Sequence, residues 1–247
     1  MTTISRVQRC ALALCVSVVL CVCLALANSR AAAQEIAPAE NLKKLSKDHA
    51  LYLDATRNAL VIDGVVCLRQ GQLEMFACPK GTKEHEAVVA LDCHAQEVHA
   101  ALLAMGAKPG KPVKFQPTYE PATGQVIDVF VLWKDEQGKK HQVRAQEWVR
   151  NAKTKMALAA DWVFAGSGFW KDEQDGKEHY RANGGDFICV SNFPSAMLDL
   201  PVESTQANSE LLFDAFTENI PPKGTKVRVV LIPRAEKPGE KVAPAGK

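Results

Sequence analysis

The sequence has 247 residues, with 30 Lys and Arg against 28 Asp and Glu, and a net charge of +2. This length is enough for one domain with a substantial core. The first 33 positions contain three arginines and no acidic residue, so the rest of the chain has 27 basic and 28 acidic residues, a net charge of −1. A chain so close to neutral lacks the positive charge that phosphate backbones attract, which disfavours nucleic acid as a partner.

The N-terminus predicts a secretory signal peptide over residues 1–33. Residues 1–9 are basic and residues 10–27 form an uncharged, apolar run, and the small residues that follow suit cleavage after Ala27 or after Ala33. The apolar run approaches the length of a membrane span, but no basic cluster follows it to stop transfer. We therefore expect an exported protein, periplasmic or extracellular, that contacts the membrane only during export.

Cysteines divide between this leader and the rest of the chain. Four of the eight fall in the leader, and the other four are Cys67, Cys78, Cys93 and Cys189. After export these four could form two disulfides in any of three pairings, or remain as small buried hydrophobic residues. No two of them have Cys-x-x-Cys spacing, which disfavours an iron–sulfur cluster or a zinc ribbon. The sequence requires no cofactor.

The first half of the chain predicts strands and one helix. Residues 34–47 are rich in Ala, Pro and charge and predict a flexible lead-in, followed by a folded domain over residues 48–233. Apolar runs predict strands over 51–53, 60–68 and 73–78. A helix is predicted over residues 92–105, with Asp92 as its N-cap, because the apolar residues recur at helical spacing. They are Val98, Ala101, Leu102 and Met105.

The second half predicts more strands and a second helix. Strands are predicted over 126–133, 142–149, 162–165, 187–191 and 227–231. A helix is predicted over residues 208–219, with Leu212 and Phe216 on one face, and residues 234–247 predict a disordered tail. The expected fold is α+β, with mainly antiparallel strands and about two principal helices in a single compact domain.

A short motif occurs twice. The sequence Trp-Lys-Asp-Glu-Gln begins at Trp133 and again at Trp170, and a histidine follows each copy, His141 and His179. Two hairpin tips or an ancestral duplication would both explain the repeat. Asp, Gln and Gly supply turn geometry, and the flanking sequences are not similar, so two hairpin tips are favoured.

The densest polar segment lies after the third predicted strand. Lys80, Lys83, His85 and Glu86 are candidate ligand-binding residues there. In an alternative interpretation, nearby cations lower the pKa of Cys78 and make it a redox thiol, or Cys78 and His85 bind a metal. The simplest interpretation is a solvated charged loop with the Cys78 side chain in the core.

Two glycine-flanked segments supply further candidates. Ser167 lies between Gly166 and Gly168, without the Gly-x-Ser-x-Gly pattern of hydrolases. Asp186 follows a glycine pair. Bends or turns explain both segments, and either could also converge with the polar segment to form one binding surface.

Four runs resemble the YdjY-domain family of exported bacterial proteins. They are LEMFACPKGTKEHE (73–86), HAALLAMGAKPG (99–110), WVFAGSG (162–168) and GDFICVSNFPSAM (185–197). The similarity covers roughly residues 51–233. It implies an exported protein and brings no particular reaction with it. A ferredoxin-like description of some members would imply an iron–sulfur cluster, which the cysteine spacing disfavours here.

The sequence therefore predicts a non-enzymatic, extracytoplasmic binding or scaffold module for a small ligand or an envelope component. The alternative is a thiol-redox or metal-binding protein centred on Cys78 and His85. A hydrolase with Ser167 as nucleophile is the weakest hypothesis, because no base can be assigned to it. The oligomeric state is left open.

Overall fold

The computed structural model describes residues 42–174, 176–204 and 211–235. The predicted signal peptide lies outside the described residues, as do most of the predicted lead-in and most of the predicted tail. Within the lead-in, Lys43–Lys44 already form a strand, and at the other end Arg234 forms ion pairs with Asp128 and Asp161. A strand and two ion pairs thus lie just outside residues 48–233.

Most regular structure in the described residues is β-strand. The strands in chain order are β1 Lys43–Lys44, β2 Leu51–Asp54, β3 Ala59–Val66, β4 Met75–Pro79, β5 Ala87–Leu91, β6 Val126–Lys134, β7 Lys140–Arg144, β8 Val149–Asn151, β9 Trp162–Phe164, β10 Phe169–Lys171, β11 Glu178–Tyr180, β12 Ile188–Cys189, β13 Leu198–Asp199, β14 Phe213–Ala215 and β15 Lys226–Pro233. The described residues also form one α-helix, α1 (Ala95–Ala104), and two 3-10 turns, Ala145–Trp148 and Arg181–Gly184.

Eight strands close into a mixed β-barrel. Their order is β3-β15-β6-β9-β13-β12-β4-β5, and β5 pairs with β3 to complete the barrel. Strands β2 and β1 extend the sheet beyond β3, and β7 extends it beyond β6. Most pairs are antiparallel, but the protein is mainly β, so the predicted α+β class overstated the helical content.

Both parallel pairs of the barrel are joined by short connections. Residues 80–86 connect β4 to β5, and residues 190–197 connect β12 to β13. Parallel strands usually need a crossover of about a dozen residues or more, so both connections are unusually short. We refer to them as loop 80–86 and loop 190–197.

Large side chains fill the core. The largest fully buried side chains include those of Trp148, Trp162, Phe76, Phe164 and Phe187. The indole N–H of Trp162 donates a 2.7 Å hydrogen bond to the carbonyl oxygen of Cys189, so this buried polar atom is satisfied. An eight-stranded barrel is just wide enough for side chains to fill its interior.

Helix α1 begins later than predicted. His94 occupies its N-cap without a side-chain cap, because the Asp92 carboxylate accepts hydrogen bonds from His49 Nδ1 at 3.1 Å and from the Ala50 amide at 3.2 Å instead. The predicted apolar face is confirmed at its centre, where Val98 and Leu102 are buried. No helix among the described residues is long and apolar enough to cross a membrane.

The second predicted helix is wrong in the part that the structure describes. Residues 205–210 lie outside the described residues, but Phe213–Ala215 form β14, which pairs with β8. Leu211, Phe213 and Ala215 are buried, whereas Leu212 and Asp214 are only half-buried. This alternation has the period of a strand, and pairing with β8 outweighs the helical spacing of Leu212 and Phe216.

The repeated motif forms two hairpins, as the favoured interpretation predicted. Trp133 on β6 lies opposite His141 on β7, and Trp170 on β10 lies opposite His179 on β11. The Trp and His rings stack in both hairpins, with centroids 4.9 Å and 5.0 Å apart. The repeat is therefore explained by the same cross-strand pair next to a hairpin tip.

Barrel closure depends on Gly64, which pairs with β15 on one side and β5 on the other. A Cβ atom there would lie 2.6 Å from the Ala90 carbonyl oxygen, which is backbone and cannot move aside. We expect Gly64→Ala to lower the free energy of unfolding by about 2 kcal/mol, measured by urea denaturation. Gly184→Ala is the control, because a Cβ there meets open space. Equal stability of the two variants would contradict this role.

Candidate functional site

Lys83 joins the two short loops. It lies in the middle of loop 80–86, and its Nζ is 2.9 Å from Asp186 Oδ1 and 3.8 Å from Glu74 Oε2. The same ammonium lies 4.7 Å from the centroid of the Phe193 ring, which belongs to loop 190–197. An ammonium over an aromatic face is attracted by the ring, so Lys83 is held by charge and by π electrons.

Gly185 makes room for this lysine. Its φ is 127°, and an added Cβ would lie 2.6 Å from Cγ of Lys83. The glycine therefore meets two requirements: a backbone conformation that other residues rarely adopt and close packing of the lysine stem against the main chain. The predicted glycine-rich turn therefore packs against the Lys83 side chain of loop 80–86.

A chain of hydrogen bonds continues from Asp186. The Ser195 hydroxyl donates a short hydrogen bond to Asp186 Oδ2, and the Ser167 hydroxyl donates to the Ser195 carbonyl oxygen at 2.6 Å. The structure therefore brings three of the predicted site residues, Lys83, Asp186 and Ser167, into one polar cluster, with Ser195 as the link that the sequence did not indicate.

The other predicted ligand-binding residues lie at the edges of this cluster. His85 is exposed, and its Nε2 is 3.3 Å from Glu86 Oε1. Lys80 is exposed and faces a separate pocket. The polar segment thus has three parts: Lys83 faces the cluster, Lys80 lines the pocket, and His85 lies in solvent.

The cluster holds more carboxyl groups than cations. Burial, then a hydrogen bond to Glu86 and the charge of Glu86, raise the pKa of Glu74 to about 7. Burial alone would lower the pKa of Lys83, but Asp186, Glu74 and Glu86 together raise it above its ordinary value. Lys83 therefore stays charged near neutral pH, while Glu74 is close to half-protonated and can take up or release a proton.

A small pocket of about 100 Å³ lies beside loop 80–86. It is lined by Pro79, Lys80 and Thr82 at the end of β4, by Asp92, Cys93 and His94 after β5, and by His49 and Asn183. Because β4 and β5 are parallel, their carboxyl ends meet at one edge of the barrel, and side chains that follow both strands line one cavity. The imidazoles of His49 and His94 face each other across 4.8 Å.

The surroundings of Cys78 do not favour the redox interpretation in the folded protein. Cys78 is fully buried in β4, and this burial raises the pKa of its thiol rather than lowering it. Burial also raises the pKa of Cys67 to about 12 and those of Cys93 and Cys189 above the ordinary value. The sequence left two alternatives for these four cysteines, disulfides or small buried apolar residues. In the structure all four are free and buried, which agrees with the second alternative.

The predicted metal site is not formed by the residues that the structure describes. Among them no group of three or more His, Cys, Asp or Glu side chains is arranged to hold a metal ion. Cys78 is enclosed in the core, whereas the side chain of His85 is 74% exposed. The two residues therefore face different environments.

A buried polar network under loop 190–197 was not predicted. The fully buried Asn192 donates to Asp199 Oδ1 at 3.0 Å and accepts a hydrogen bond from the Tyr119 hydroxyl at 3.2 Å. Burial raises the pKa of the Asp199 carboxyl to about 7, and its Oδ2 has no hydrogen-bond partner within the described residues. In the sequence, only the charged residue between Leu198 and Leu200 could have indicated this network.

We expect thiol reagents to modify the native protein slowly. All four thiols described here are buried, and each has a raised pKa, so the reactive thiolate is rare and inaccessible. At about pH 8, labelling should be at least about tenfold faster after denaturation. One fast-reacting native thiol, found by mass spectrometry at Cys78, would restore the redox hypothesis.

We expect Asp199→Asn to change the pH dependence of stability. The pKa of Asp199 is about 7 in the folded protein and 3.8 ordinarily, so between these pH values the folded protein keeps a proton that the unfolded chain has lost. The folded protein therefore loses stability as the pH rises from about 4 to about 7. At about pH 8 the variant should be more stable by roughly 2 kcal/mol or more, and near pH 4 almost unchanged. Thermal unfolding across pH measures this, with exposed Asp48→Asn as control; no gain at high pH would contradict it.

Comparison with known proteins identifies the domain. A family model for the YdjY domain matches residues 51–232, which include the barrel strands except the last residue of β15, both short loops and every pocket-lining residue except His49. No curated protein and no solved structure matches the chain. The resemblance seen in the four sequence runs is thereby confirmed, and the chain belongs to the YdjY domain family.

Proposed function

We propose that this chain is an exported, non-enzymatic binding module that holds an anionic group of a small ligand or envelope component in the pocket beside loop 80–86. The observation that carries the proposal is Lys80, an exposed residue that lines the pocket and makes no ion pair within the described residues. The signal-peptide pattern of residues 1–33 supports export.

The pocket has the chemistry for an anion. Lys80 supplies a positively charged side chain, and the imidazole of His94 supplies a further polar contact. The one acidic residue in the lining, Asp92, has its carboxylate engaged by His49 Nδ1 and the Ala50 amide. These bonds offset the repulsion that a free carboxylate would exert on an anionic ligand.

Its size limits what it can enclose. About 100 Å³ is well below the roughly 300–1,000 Å³ typical of sites that bury a whole drug-sized molecule. It suits a single carboxylate or phosphate group, with the rest of the ligand outside. A terminal group of an envelope polymer or peptide meets this description as well as a small free anion does.

The support around the pocket suits binding without large rearrangement. Loop 80–86 is anchored by Lys83, and the Asn183 side chain accepts a hydrogen bond from the Gln96 amide in the first turn of α1. The lining residues are thus tied to the barrel and the helix. A pre-organised site loses less free energy on binding than a mobile one.

We expect inorganic phosphate or acetate to cause saturable NMR shifts of the backbone amides that border the pocket. Lys80→Gln should weaken this binding by about tenfold or more, because a charge-assisted contact is lost. Lys140→Gln, on the distant β7, is the matched control and should bind as the unmodified protein does. The proposal is wrong if neither anion gives a saturable shift, or if Lys80→Gln binds unchanged.

A further inference from the structure

Three side chains in the cluster have the arrangement required for an amide-forming condensation. Lys83 supplies an amine 2.9 Å from Oδ1 of Asp186, and the carboxyl group of Glu74 lies 3.8 Å from the same nitrogen. Asp186 and Glu74 are 13% and 11% exposed at their side chains. An ion pair alone needs only the first two groups, so the third carboxyl group is the feature to be explained.

We propose that Lys83 and Asp186 become joined by an intramolecular isopeptide bond, with Glu74 as the proton-transfer residue. The Lys83 ammonium gives a proton to Glu74, and the free amine attacks Cγ of Asp186. The C–N bond forms and one C–O bond breaks, and protons carried by Glu74 complete the departing water. One amine and one carboxylic acid give one amide and one water, so no oxidant, reductant or activated co-substrate is needed.

The surroundings favour the reaction in three ways. The Phe193 ring lies over the Lys83 ammonium, and this contact holds the end of the lysine side chain beside Asp186. The Ser195 hydroxyl donates to Oδ2 of Asp186 and polarises the carboxyl group, as an oxyanion donor does. Gly185 lets the lysine stem lie against the main chain, which fixes the amine beside its target.

The protonation states of Lys83 and Glu74 determine the rate of the condensation. The carboxyl groups around Lys83 raise its pKa, so the amine is a minor species near neutral pH and the condensation is slow. Glu74, with a pKa of about 7, holds and releases a proton readily in the same pH range. Slow formation over hours or days is compatible with a bond that needs to form only once in the life of the protein.

The bond would be a covalent cross-link within the chain. It would connect the middle of loop 80–86 to the segment just before β12, two parts of the chain that are distant in sequence. A cross-link of this kind restricts the unfolded chain as a disulfide does. The protein would gain it without oxidation, which is consistent with four buried cysteines that remain free.

The test is peptide mapping by mass spectrometry of the folded, full-length protein after prolonged incubation at neutral pH. Denaturation before digestion removes ion pairs and leaves covalent bonds. We expect a branched tryptic peptide that contains Lys83 and Asp186 and is lighter than its two parts by one water, with no cleavage after Lys83. Recovery of both residues only in separate, unmodified peptides overturns the proposal.

Matched variants separate the bond from the ion pair. Glu74→Gln keeps Lys83 and Asp186 but cannot carry the proton, so formation should slow by about a hundredfold or more. Lys83→Arg should abolish the branched peptide.

The exposed pair Lys114–Glu120, whose Nζ–Oε1 distance is 3.0 Å, is an internal control and should be recovered unlinked. A Glu74→Gln rate equal to that of the unmodified protein overturns the role of Glu74. Lys80 takes no part, so the result is independent of anion binding.

Discussion

The parallel pairing of β4 and β5 is the constraint on which the site depends. Ala87 lies beside Met75, so after Pro79 the chain must return along the whole of β4, about 13 Å, before β5 begins. Loop 80–86 has seven residues for this return and could span up to roughly 25 Å, so its length alone does not fix its path. The loop forms neither a strand nor a helix, so its backbone and side chains need other partners.

Side chains supply those partners. The Glu84 carboxylate accepts a hydrogen bond from the Gly81 amide at 2.8 Å, and the Thr82 hydroxyl donates to the Pro79 carbonyl oxygen at 2.6 Å. Lys83 then ties the loop to the barrel through Asp186. The second parallel pair, β12 and β13, solves the same problem with the buried amide of Asn192 in loop 190–197. Polar groups thus stabilise two connections that regular structure cannot.

The sequence predicts the strands β3, β4 and β6, because their apolar runs reflect burial directly, but it did not predict β5, which is also apolar and buried. It does not predict barrel closure, because the pairing of β5 with β3 leaves no local pattern. The helix over 208–219 was mispredicted since Leu211, Phe213 and Ala215 fit a strand as well as Leu212 and Phe216 fit a helix. The candidate residues of the site lay on three separate segments, and Glu74, Phe193 and Ser195 gave no signal. Only the fold brings these segments together.

The two short loops also explain why the cluster and the pocket are neighbours. Loop 80–86 starts at the edge where β4 and β5 end, so its first residues, including Lys80, face the pocket. Its middle residue, Lys83, meets Phe193 because loop 190–197 returns along the adjacent part of the same wall. Any change that loosens Lys83 therefore also frees the segment that carries Lys80. The position of the loop and the shape of the pocket therefore both follow from the short connection between β4 and β5.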